Sequence, residues 1–177
     1  EPLPEGMERT LREVMRRGPT SSALQTYAFV FVRDRAVRAA IRPWCGDQRW
    51  VEECPLLIIA CSDQRRVEEA ARARGYAYRA SDLRILISSV EDLTIAMQNA
   101  SLAAQSLGLG TVMIGGVSNG AKEIHDLLDL PQRVVPLLGL SVGVPAPSQR
   151  DLEPRPRLPA ELVFHTDRYR LSAEREA

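Results

Sequence analysis

One stretch constrains this chain more than any other. From Asp82 to Leu107, apolar residues recur at helical spacing through Leu83, Leu86, Ile87, Val90 and Leu93. From Leu93 onward, with Ile95, Ala96, Met97, Ala100, Leu102 and Ala104, they lie nearly all around the helix. A helix that is apolar on every side is either buried centrally or closes an oligomer interface. Gly108 and Gly110 mark its end, Gly108 as the residue that leaves the last turn. Everything else in the chain has to be arranged around this element. With 177 residues, 45% of them hydrophobic, the chain can bury one real core but hardly two.

The flanking segments read as a mixture of helices and strands. Residues 4–17 carry Met7, Leu11, Val14 and Met15 at helical spacing and stop at Gly18-Pro19. Tyr27 to Val32 is aromatic and β-branched, a strand. Arg35 to Ile41 is a short helix. Pro55 to Ser62 is a strand buried on both faces, and Arg65 to Arg74 is a solvated helix closed by Gly75. Thr111 to Ile114 is a strand that runs into Gly115-Gly116, and Asn119 is placed to cap a helix over Ala121 to Leu128. Val134 to Val144 and Leu162 to His165 are further strands, the second short and terminal. The sum is an α/β or α+β single domain over 1–177, with about 146–177 as an extended C-terminal arm. No G-x-G-x-x-G follows a strand, which disfavours a dinucleotide-binding Rossmann domain.

Charge and cysteine content exclude several classes. The 23 basic residues balance 23 acidic ones, so neither nucleic acid nor an anionic membrane surface is indicated as partner. No apolar run approaches the ~20 residues of a membrane span, and no signal peptide is visible. Cys45, Cys54 and Cys61 form no C-x-x-C, and His125 and His165 lie far from them. A zinc site or a disulfide scaffold is therefore not indicated, and reduced cysteines in a cytoplasmic protein is the plain reading.

Three short motifs could carry chemistry. Pro19-Thr20-Ser21-Ser22-Ala23-Leu24-Gln25 places consecutive hydroxyls on a loop. It reads either as a polar turn or as a loop that hydrogen-bonds a heteroaromatic edge or a phosphate. Ile114-Gly115-Gly116 ends a strand in a glycine pair, which is either a turn or a place where backbone N–H groups approach a flat ligand closely. Arg155-Pro156-Arg157 is either a solvated basic loop or a pair of cations splayed towards one anion. No G-x-S-x-G and no acidic metal cluster is present. An enzyme built this way leaves the difficult chemistry to a cofactor.

Taken in order, these pieces resemble the FMN-dependent nitroreductase and flavin-reductase family, in particular its type A, NADPH-using branch. The resemblance rests on 19–25, on Gln48-Arg49-Trp50-Val51 before the strand 55–62, and on the most specific segment, Asp92 to Gly116. It continues through Leu130-Pro131-Gln132, the segment 136–145 and Arg155-Pro156-Arg157-Leu158-Pro159. It covers nearly the whole chain.

The resemblance implies an α+β fold: a nitroreductase-like mixed sheet flanked by helices, a long buried central helix, and an intertwined homodimer with FMN at its interface. It implies that Thr20, Ser21 and Ser22 line the flavin from one subunit. Gln48 would contact the ring or ribityl side. Ile114, Gly115 and Gly116 would face the reactive edge of the ring. Arg155 and Arg157 would bind the phosphate side and the pyrimidine edge. The reaction implied is hydride transfer from NADPH or NADH through FMN to nitroaromatics, quinones or flavins by a ping-pong cycle. The alternative is a non-catalytic flavin carrier or interaction homodimer of the same fold. Two family elements have no counterpart in the sequence as it stands: an Arg-Ser-x-Arg phosphate grip ahead of Glu1, and a C-terminal extension that carries a basic residue for the NADPH 2′-phosphate. The expectation is weaker FMN binding and no marked preference for NADPH. Ser118 stands where relatives often place arginine.

Overall fold

The computed structural model describes residues 1–78, 81–149 and 155–170. The chain divides into two compact units, Glu1–Pro145 and Ala146–Ala177. The helices of the first unit are α1 (Met7–Arg16), α2 (Arg35–Ile41), α3 (Arg49–Glu53), α4 (Arg65–Ala73), α5 (Asp82–Ser106) and α6 (Ala121–Leu127). Its strands are β1 (Tyr27–Val32), β2 (Leu56–Asp63), β3 (Gly110–Ile114) and β4 (Val134–Gly143), in the order β1-β2-β4-β3. The fold class is α+β as expected. The sheet expected to be mixed is antiparallel at each of its three pairings among the described residues.

The core explains this arrangement. Every residue of β2 is buried, and the strand alternates between two hydrophobic clusters with the period of two that a strand imposes. Leu56, Ile58 and Ala60 face Leu11 and Met15 of α1 and Leu93, Met97 and Ala100 of α5. Leu57, Ile59 and Cys61 face Ile41, Val51, Val117 and Ile124. The sheet is thus covered on both faces, which is why β2 reads as an unbroken apolar run. Pro136 lacks the N–H that a ladder needs. The register of β2 against β4 slips between Ala60 and Cys61, which leaves Leu137 as the extra residue of a bulge.

Two further expectations need correction, and one is narrowed. Helix α5, expected to be buried centrally or in an oligomer interface, is buried on one side within this chain: Leu93, Ala96, Met97 and Ala100 are covered, whereas Leu83, Ile87, Val90 and Leu102 are exposed. One sheet offers one surface to pack on, and the second apolar side of the helix is left over. Asn119 does not cap α6. Gly120 occupies the N-cap with no side-chain bond, and a β-carbon there would collide with the Trp44 side chain. The terminal strand over Leu162 to His165 is absent. Ala160–Val163 instead form a helical turn, α7, after Pro159, and the Phe164 N–H donates to Ala160 O at 2.8 Å. An apolar run this short has no periodicity that separates the two conformations. Of the arm, residues 150–154 and 171–177 lie outside the described residues.

Candidate functional site

The hydroxyl loop precedes β1 and packs on α5. Ser21–Ala23 form a single 3-10 turn with Thr20 as its extended N-cap residue. The Ser21 N–H donates to Asp92 Oδ1 of α5 at 2.8 Å. Beyond it, Ser22, Ala23 and Gln25 all adopt left-handed backbone, with φ of 51°, 55° and 52°. Residues with a β-carbon disfavour this region by roughly 1–2 kcal/mol each, so the loop must be held in place by its surroundings. The far end is held by Arg66 of α4. Its guanidinium donates to Gln25 O at 3.2 Å, to Tyr27 O, and to Asp63 Oδ2 at 2.8 Å. Ser22 is exposed and Thr20 and Ser21 are half-buried. None of the three hydroxyls is hydrogen-bonded among the described residues.

The glycine pair lies at the other edge of the sheet. Ile114 is the last residue of β3, fully buried and paired with Gly139. Gly115–Ser118 then make a 3-10 turn. Gly116 rests on the backbone of Cys45, whereas nothing lies within 4 Å of where a Gly115 β-carbon would be. Gln48 belongs to this cluster. Its Nε2 donates to Cys45 O at 2.7 Å and its Oε1 accepts from Trp50 Nε1 at 2.9 Å. One donor and one lone pair of the amide remain. Burial pushes the Cys45 thiol up to about 11, so it is neutral at neutral pH and not a nucleophile.

The structure therefore brings Gln48, Ile114, Gly115 and Gly116 together and sets Thr20, Ser21 and Ser22 apart from them. Between the edge strands β1 and β3 lie three interstrand steps, roughly 14 Å. Arg155 and Arg157 are in the second unit and exposed, and Arg157 Nη1 donates to Arg155 O at 2.9 Å. His125 makes only local contacts at 3.3 Å, to Asp126 Oδ1 and Pro131 O. The His165 ring stacks on Tyr169 with centroids 4.2 Å apart. No group of His, Cys, Asp and Glu among the described residues could hold a metal ion. Two residues that sequence reasoning passed over, Asp92 and Arg66, anchor the hydroxyl loop. Asp92 left a trace: a lone carboxylate on the otherwise apolar and small-residue stripe of Ile85, Ser89, Leu93 and Ala96.

In the first unit, unclaimed hydroxyls can bond heteroaromatic edges and the open Gly115 lets main chain approach a ring. The arginines of the second unit, taken by themselves, have forks that suit a phosphate. A four-stranded sheet with helices on both faces and a long helix with one exposed apolar side make up the α+β architecture of this class of protein. The Nitroreductase family model matches residues 1–144, and the chain belongs to the nitroreductase family.

The chain is 37% identical to the oxygen-insensitive NADPH nitroreductase of Salmonella typhimurium over 96% of its own length and 68% of that relative's. It is 31% identical to the FMN reductase (NADPH) of Bacillus subtilis, over 93% of this chain and 66% of the relative. It thus spans about two thirds of these longer proteins. Among solved structures, the NADPH:FMN oxidoreductase from Vibrio harveyi complexed with NAD+ superposes with a TM-score of 0.88 at 30% identity, covering 98% of this chain and 73% of that one.

Proposed function

We propose that the protein is an FMN-dependent oxidoreductase that passes hydride from NADPH or NADH to small aromatic or quinone-like acceptors, nitroaromatics and flavins among them, as a homodimer. The observation that carries this reading is a hydroxyl loop with unclaimed hydroxyls and an open Gly115, in a chain whose relatives are named for NADPH and FMN. Residues 1–177 are read as one nitroreductase-like domain with its arm at 146–177. Three buried free cysteines support a cytoplasmic setting. Among the described residues no helix is long and apolar enough to cross a membrane.

FMN, when bound, supplies the two-electron chemistry, taking hydride from the nicotinamide and giving it to the acceptor in a ping-pong cycle. The protein's part is binding and orientation. The hydroxyls of Thr20, Ser21 and Ser22 offer donors and acceptors to the polar edges of the ring. The open Gly115 would let the ring approach the main chain of Ile114, Gly115 and Gly116, and Gln48 would offer its remaining donor and lone pair. Arg155 and Arg157 offer guanidinium forks to the phosphate and to the negative charge of the reduced pyrimidine edge. Within one chain the two clusters lie at opposite sheet edges. The exposed Leu83, Ile87 and Leu102 on the open side of α5 support packing against a second copy.

The test is a visible absorption spectrum of the purified protein during FMN titration, followed by anaerobic addition of NADH or NADPH. Bound flavin that bleaches with either donor is the expected result, and the rates rank the donors. Flavin that binds and does not bleach would make the protein a flavin carrier. Flavin that stays free would overturn the reading.

A further inference from the structure

Asp92 is an expensive residue for the place it occupies. It lies on the buried face of α5 between Ser89 and Ala96 and is 2% exposed. A carboxylate there costs far more than an apolar side chain unless both oxygens are hydrogen-bonded. Only one is. Oδ1 accepts the Ser21 N–H at 2.8 Å, and Oδ2 is buried without a partner among the described residues. Core packing does not explain it, since Leu93 and Met97 beside it pack the same sheet without that penalty. What distinguishes Asp92 is its one partner: the main-chain N–H of the residue that opens the strained turn, immediately before left-handed Ser22 and Ala23. Strain of this kind persists only where the surroundings over-determine it, and it collects at functional sites.

We infer that Asp92 is the positioning residue of the flavin-contacting hydroxyl loop: through its bond to the Ser21 N–H it transfers the rigidity of the core helix α5 to the Thr20, Ser21 and Ser22 hydroxyls. The inference rests on the reading of that loop as part of the FMN site. It assigns the role to a hydrogen-bond acceptor rather than to a charge, because the bond runs to main chain and an amide oxygen could accept it equally well.

The test is the FMN dissociation constant, read by quenching of flavin fluorescence, with circular dichroism to check folding. Wild type must bind FMN first; flavin that stays free there would overturn the loop's role and this inference with it. Given binding, Asp92→Ala is expected to weaken it about tenfold or more, and Asp92→Asn to restore it to within about threefold of wild type, since loss of an acceptor from a charged group is the larger effect. A second pair of variants avoids the core. Ser21→Pro removes the N–H, and Thr20 already has the extended backbone that precedes proline (φ −137°, ψ 149°). Ser21→Ala removes only the hydroxyl. Ser21→Pro should bind FMN about tenfold more weakly than Ser21→Ala. Equal affinities in that pair, or Asp92→Asn as weak as Asp92→Ala, would overturn the inference while the FMN reading stood.

Discussion

Gly116 lies so close to the backbone of Cys45 that a β-carbon on it would fall 2.7 Å from Cys45 Cα and 3.3 Å from Trp44 O. This contact docks the end of β3 onto the 3-10 turn Arg42–Cys45, whose Cys45 carbonyl also receives the Gln48 amide. Gly116→Ala must push backbone against backbone. A loss of about 1–3 kcal/mol is expected, with a fall in Tm of about 3–10 °C. Gly115→Ala meets nothing within 4 Å and should leave Tm nearly unchanged. If the pair faces the ring, Gly115→Ala nevertheless weakens FMN binding. Thermal unfolding and FMN titration of both variants separate the two effects.

Leu11 of α1 is fully buried against α5 and β2. Leu11→Ala is expected to cost about 2–5 kcal/mol, the range for a large-to-small change in a packed core. Urea unfolding should show a lower midpoint at unchanged slope. A loss below about 1 kcal/mol would mean that α1 is not locked to the core.

Burial raises the Cys45 thiol to about 11 and the Cys61 thiol to about 12, each from an ordinary value of 9.0, and the negative Asp63 adds to the second. In the folded protein both should resist iodoacetamide at pH 8, and all three cysteines should react in guanidinium. The sign of the pH effect follows from the raised values. Above about 9 the unfolded chain loses these protons before the folded one does. Stability should therefore fall as pH climbs from 9 to about 11 for Cys45 and to about 12 for Cys61, with no pH dependence from these thiols below that window.

The hydroxyls and the arginines should differ in kind. Ser22→Ala removes one neutral partner and is expected to weaken FMN binding about two- to tenfold. Arg157→Ala removes a charge-assisted contact and should cost about tenfold or more at low salt, with the difference from wild type shrinking as ionic strength rises. A salt-independent loss for Arg157→Ala would place it away from the phosphate.

Leu102 is 56% exposed on the open side of α5. If that side meets a second copy, Leu102→Asp buries an unpaired charge at the interface. The expected result is a shift from dimer to monomer by sedimentation velocity, with the helical circular dichroism signal kept. A wild-type protein that sediments as a monomer would remove the homodimer from the proposal.

Local order was legible in the residues alone. β1 and α2 run over Tyr27–Val32 and Arg35–Ile41, the bounds their composition indicates, and α5 ends one residue before the expected Leu107. These elements are set by short-range physics: side-chain periodicity, the Ser81 hydroxyl that accepts the Arg84 N–H at 3.3 Å, and Gly108 in left-handed backbone at φ 80°. The family was legible too, because the order and spacing of the motifs along the chain resemble its pattern.

What the tertiary structure alone decided depends on contacts between distant residues. The antiparallel order β1-β2-β4-β3 places the two halves of the motif set at opposite edges, which no local pattern encodes. Trp44 leaves no room for a β-carbon at Gly120, the N-cap of α6. One side of α5 found a sheet and the other did not. Asp92 and Ser21, joined by a hydrogen bond, stand 71 residues apart. Periodicity reports which side chains share a face of one element. What that face meets is settled only when the whole chain competes for the same buried surface.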